Sequence, residues 1–123
     1  MTEREIQQAI EQVKTAFPKF TDWEYTDEID KEYIGFSLWG IFSPNPKDLY
    51  RHFFITFDID KNHWHGHVTM GKPSYFWTST DLGDADLLDT EPCKTLEDAI
   101  IALKKEIANL FEQLGGVPFG LNR

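Results

Sequence analysis

From residue 49 to residue 60 apolar and polar side chains alternate with period two, and after Lys61 and Asn62 the run 63–70 does the same. Period two marks a strand whose two faces differ, so these runs predict a hairpin closed by a two-residue turn. In that register Asp60 faces His63, Ile59 faces Trp64, Asp58 faces His65, Phe57 faces Gly66, Thr56 faces His67 and Ile55 faces Val68. Phe53, Ile55, Phe57 and Ile59 then join Trp64, Val68 and Met70 on one side. The other side carries Phe54, Thr56, Asp58, Asp60, His63, His65, His67 and Thr69. A slip of one residue would mix the two sets, so the pattern specifies its own pairing.

The flanking segments follow two periods. Thr2 and Glu5 have capping-box spacing, and Ile6, Ala9, Ile10, Val13 and Phe17 recur at helical intervals until Pro18 stops the run, predicting a helix over 3–16. Residues 19–32 mix aromatics with acids and predict a short edge strand with Trp23 and Tyr25 on one side. Residues 33–43 read as a strand with Ile34, Phe36, Leu38 and Phe42 on one face and Tyr33, Ser37, Trp39 and Ile41 on the other. Pro44 and Pro46 make 43–48 a loop, because two prolines in three residues forbid continued pairing. Beyond the hairpin, 71–74 reads as a turn and 75–80, rich in aromatic and β-branched residues, as a last strand. The acidic, irregular stretch 81–93 contains Leu82, Leu87 and Leu88, so an ordered loop lying across an edge or end of the sheet is expected there.

Thr95 is the expected cap of a final helix in which Leu96, Ile100, Leu103, Ile107, Leu110 and Leu114 alternate steps of four and three until Gly115 and Gly116 end it. The expected fold is α+β over residues 1–123 as one domain: a single antiparallel meander of four to five strands with N- and C-terminal helices packed on one face. The wholly apolar side of the hairpin goes under the helices, and the histidine and aspartate side is left uncovered.

Charge narrows the function. Acidic residues outnumber basic ones 21 to 12, for a formal charge of -9, and no Lys/Arg cluster is present to contact several phosphates at once. Nucleic acid is therefore not an expected partner. A basic protein is a better electrostatic match, although negative charge also keeps a protein soluble. No stretch approaches the ~18 apolar residues of a membrane span, and the first residues lack the basic start and apolar run of a signal peptide. The single Cys93 excludes an internal disulfide, which suits a cytoplasmic protein.

One constellation is chemically pointed. Alternate histidines on a strand point the same way and can offer two imidazoles to zinc, with a carboxylate completing the set. The candidate metal residues are His63, His65, His67, Asp58 and Asp60, and a metal-binding protein or metal-dependent hydrolase is the function they would serve. Spacing limits this, since His63 and His67 stand ~13 Å apart along a regular strand, so only adjacent members can act together. The plainer expectation is a solvent-facing row paired with the opposing aspartates, sensitive to protons because histidine titrates near neutrality. The acids of 81–89 lack EF-hand spacing. Cys93 precedes the last helix but has no nucleophile signature, and no phosphate loop, nucleophile elbow or His-Glu-x-x-His pattern occurs. No catalytic residue is assigned.

The aromatic content, 10 Phe, 4 Tyr and 4 Trp, exceeds what the histidine side of the hairpin needs, and most of it must build the core. Trp39, Ile41 and Phe54 instead fall on the uncovered face beside Asp58 and His65, and these five are the candidate interaction residues. The preferred expectation is a non-catalytic binding module, with a protein partner or a second copy as in a homodimer, of inhibitor or immunity type, and no cofactor other than a possible zinc.

Overall fold

A computed structural model describes residues 2–29, 34–44, 47, 52–71 and 85–116. Helix α1 spans Glu3–Ala16, strands β1 to β5 span Thr21–Ile29, Ile34–Phe42, His52–Asp60, His63–Gly71 and Ala85–Asp89, and helix α2 spans Leu96–Gly115. The strands form one antiparallel sheet in chain order, a meander. Each helix starts where its cap dictates. Thr2 Oγ1 accepts from the Glu5 N–H while the Glu5 carboxylate accepts from the Thr2 N–H, and Thr95 Oγ1 accepts from the Asp98 N–H. Gly116 ends α2 in the left-handed region at φ 72°, where a side chain would be strained.

The β3–β4 hairpin has the expected register, from His52 opposite Gly71 down to Asp60 opposite His63. Lys61 and Asn62 both have positive φ, 51° and 67°, the backbone of the tight turn whose twist matches the strands. Phe36 and Leu38 of β2 lie opposite Ile59 and Phe57 of β3, so the apolar faces of three strands are contiguous. Against this face pack Ile6, Ala9 and Val13 of α1 and Leu96, Ala99, Ile100 and Leu103 of α2, forming one core with Phe36, Leu38, Ile55, Phe57, Trp64 and Val68. Both helices thus cover the same side of the sheet.

Two glycines make close approaches possible. A Cβ on Gly66 would lie 2.9 Å from the Phe57 ring and 3.3 Å from Leu103 Cδ2, so the gap between Trp64 and Val68 in the apolar row of β4 is where α2 descends onto the sheet. At Gly40 the same atom would fall 2.7 Å from the Trp23 indole. Trp23 in turn donates from Nε1 to the Phe20 carbonyl at 3.1 Å, and Phe20 contacts both Phe17 and Phe42. These rings close the β1 side of the core, and β1 is an edge strand as expected but nine residues long, not short. A bulge between Thr21 and Glu24, with Asp22 at φ 55°, bends its start.

The fifth strand differs from expectation. Ala85–Asp89 pairs with β4, within the stretch read above as a loop, while the strand expected at 75–80 lies outside the described residues. The physical reason is length and a bulge. Five residues with a register shift between Val68 and Thr69 on the facing strand show no sustained period of two, and the adjacent Leu87 and Leu88 look irregular in sequence. The chain then stays beside β4. Thr90 donates its N–H to the Gly66 carbonyl and accepts the Gly66 N–H on Oγ1, both at 2.9 Å, and Trp64 and Cys93 exchange backbone bonds of 2.7 and 2.8 Å.

The apolar stripe of α2 also outruns its cover. Leu103 is fully buried and Ile107 partly, but Leu114 is 73% exposed. Helical spacing reports which face is apolar, and only the packing shows how far the sheet reaches beneath it. No described helix is long and apolar enough to cross a membrane.

Candidate functional site: the uncovered sheet face

Strand alternation puts both residues of every second opposed pair on the side away from the helices. A single line of opposed residues crosses all five strands there: Glu24, Trp39, Thr56, His67 and Asp89. Beside it run Ser37, Asp58 and His65, and on the other side Ile41, Phe54, Thr69 and Asp86. Trp39, Ile41 and Phe54 are each half-buried and, among the described residues, lie outside the core cluster that the helices cover. They form a compact group, because Ile41 opposes Phe54 directly and Trp39 is two residues from Ile41 on the same strand.

His67 is the electrostatic centre. Its Nε2 lies 3.2 Å from Asp58 Oδ2 on β3, and its Nδ1 lies 2.5 Å from Asp89 Oδ1 on β5. The hydrogen bond to Asp58 is the largest influence, and together with the one to Asp89 it outweighs partial burial, raising the His67 pKa to about 9. Near neutral pH the ring is therefore an imidazolium donating from both nitrogens, joining three strands. His65 stacks on it, with ring centroids 6.3 Å apart and planes 11° from parallel.

Of the five candidate metal residues, the structure brings Asp58 and His67 together and places His63 and Asp60 at the turn. Asp58 opposes His65 in register, yet its carboxylate reaches diagonally to His67. His63 sits at the turn with Nδ1 3.1 Å from the Lys61 carbonyl, and Asp60 is exposed beside it. Both nitrogens of His67 are engaged by carboxylates, so in this arrangement the ring has no lone pair to give a metal or to accept a substrate proton. Among the described residues, no group of three or more His, Cys, Asp and Glu side chains is arranged to hold a metal ion. Cys93 is half-buried, with Sγ 3.3 Å from the Glu91 carbonyl.

Sequence reasoning did not find Asp89, because it treated that residue as part of a loop, nor Glu24, because the bulge at the start of β1 obscures which face it takes. The missed signal for Asp89 was its place directly after Leu88, which turns to the core and so leaves its neighbour on the opposite face.

Charge is sorted between the faces and elements. None of the five strands contains a Lys or an Arg. The uncovered face carries Glu24, Asp58, Asp60, Asp86 and Asp89, with the imidazolium of His67 among them. The arrangement is thus an aromatic and aliphatic centre set among carboxylates, on one continuous antiparallel sheet. Comparison with protein-family models, curated proteins and solved structures finds no match for this chain.

Proposed function

We propose that this protein is a non-catalytic binding protein whose uncovered sheet face docks a basic protein partner. The observation that carries the reading is the coincidence, on one face, of half-buried Trp39, Ile41 and Phe54 with five carboxylates, against which the described strands set the His67 imidazolium and no Lys or Arg. Aromatic and aliphatic groups ringed by charge resemble the centre and rim of an interface, and a field of one sign speeds encounter with a partner of the other.

The same charge argues against a second copy as the occupant. A two-fold symmetric contact through this face would set its carboxylates against their own images, and like-charge juxtaposition opposes association. Phosphate backbones are disfavoured for the same reason. An inhibitor or immunity-type role, in which an acidic face covers the basic functional surface of a target, suits this arrangement.

The test combines sedimentation velocity with affinity capture using wild type, Trp39→Ala and Asp60→Ala. Wild type should sediment as a monomer and retain a basic protein. Trp39→Ala should weaken that complex by roughly 2 kcal/mol, the scale of a central aromatic anchor, whereas Asp60→Ala acts mainly on the association rate. A protein that self-associates through this face, or a Trp39→Ala variant that unfolds, would remove the reading.

A further inference from the structure

The face has an internal order that selects among basic partners. Trp39 stands second in the line that crosses the sheet, with Glu24 directly opposite it on β1 and Thr56 opposite it on β3. Neighbouring strands lie ~4.8 Å apart, so the Glu24 carboxylate starts about one strand spacing from the indole. Asp58 is two residues from Thr56 on β3 and diagonal to Trp39, a separation of ~7–8 Å between backbones that long side chains span. Asp58 gives Oδ2 to His67, and a carboxylate has a second oxygen to offer. The indole is thus flanked by acceptors on both strand neighbours.

Resting on the basic-partner reading, we propose that Trp39, Glu24 and Asp58 form a receptor for an arginine side chain, and that the partner presents arginine and not lysine at this point. A guanidinium is planar and weakly hydrated, so it can lie against an indole while the N–H groups at its edge donate to carboxylates in the sheet's own plane of side chains. An ammonium is compact and strongly hydrated. It can meet one carboxylate, but it gains less from the ring and cannot span acceptors on both sides of it. His67 contributes by holding Asp58 in place through Nε2, which leaves the carboxylate oriented before the partner arrives.

Isothermal titration calorimetry with hexa-arginine and hexa-lysine peptides, which carry equal charge, separates the two levels of the proposal. Wild type should bind hexa-arginine about tenfold more tightly than hexa-lysine at ~150 mM salt, and Trp39→Leu should reduce that preference to about threefold or less. Glu24→Gln should weaken hexa-arginine binding by roughly two- to fivefold. In NMR titrations of wild type, hexa-arginine should shift the Trp39 indole N–H more than those of Trp23 and Trp64, a readout that does not depend on any variant folding. Equal affinity for the two peptides, a preference unchanged in Trp39→Leu, or an unmoved Trp39 indole overturns the arginine receptor while leaving a basic-partner face in place. Failure of both peptides to bind overturns both.

Discussion

His67 shows how one side chain can tie strands that the backbone ladder joins only pairwise. Its folded pKa, about 9, lies above the ordinary histidine value near 6.5, because the imidazolium is hydrogen-bonded to Asp58 and Asp89. A raised pKa means that the stabilisation is fully present below about pH 6.5 and is lost as pH rises through about 9. The carboxylates are partly solvent-exposed, so screening reduces the effect to roughly 1 kcal/mol. Urea denaturation at several pH values should show wild type losing about this much more stability than His67→Gln between pH 6.5 and 9.5. A directly measured His67 titration below pH 7 would contradict the bridge. At Gly66 the constraint is steric instead. Gly66→Ala places a methyl group against the Phe57 ring and Leu103, and should destabilise by about 1–3 kcal/mol in the same assay.

Among the elements, α2 divides into a half that holds the fold and a half that does not. Leu103 is buried over Gly66 and Phe57, whereas Leu114 is largely exposed. Leu103→Ala should therefore cost about 2–5 kcal/mol, and Leu114→Ala about 0.5 kcal/mol or less, although both residues belong to one apolar stripe. Thermal unfolding of the two variants checks the contrast, and equal losses would show that the stripe is buried throughout. Strand β5 depends on non-local support. It is five residues long, and its attachment continues through Thr90 and Cys93 along the edge of β4 and through Asp89 to His67. Loss of the His67 bridge should raise hydrogen exchange in β5 before the β3–β4 hairpin is affected.

For the whole molecule, the arrangement of charge matters more than its sum. A net charge of -9 states only that acids exceed bases, but the described strands are free of Lys and Arg, and five carboxylates stand on the face away from the helices. Hexa-lysine binding should weaken by tenfold or more between about 50 and 500 mM salt, since exposed charges are screened over a few ångströms at the higher concentration. Salt-independent binding would move recognition away from this face. A central apolar group combined with such a field accounts for the different consequences expected of Trp39→Ala and Asp60→Ala.

Much of this was legible in the residues themselves. Period-two alternation on both arms of the hairpin determined its register and its two faces, because any slip would have buried aspartate and histidine. Capping residues and helical spacing likewise bounded α1 and α2. The grouping of Trp39, Ile41 and Phe54 followed from the same alternation. What only the tertiary structure decided were the relations between segments distant in the chain. These are the pairing of Ala85–Asp89 with β4, the convergence of Asp58 and Asp89 on His67, and the point along α2 where burial stops. Periodicity specifies which side of an element is apolar, but the reach of a side chain to a diagonal neighbour, and the extent of the surface beneath a helix, depend on how the elements meet in space.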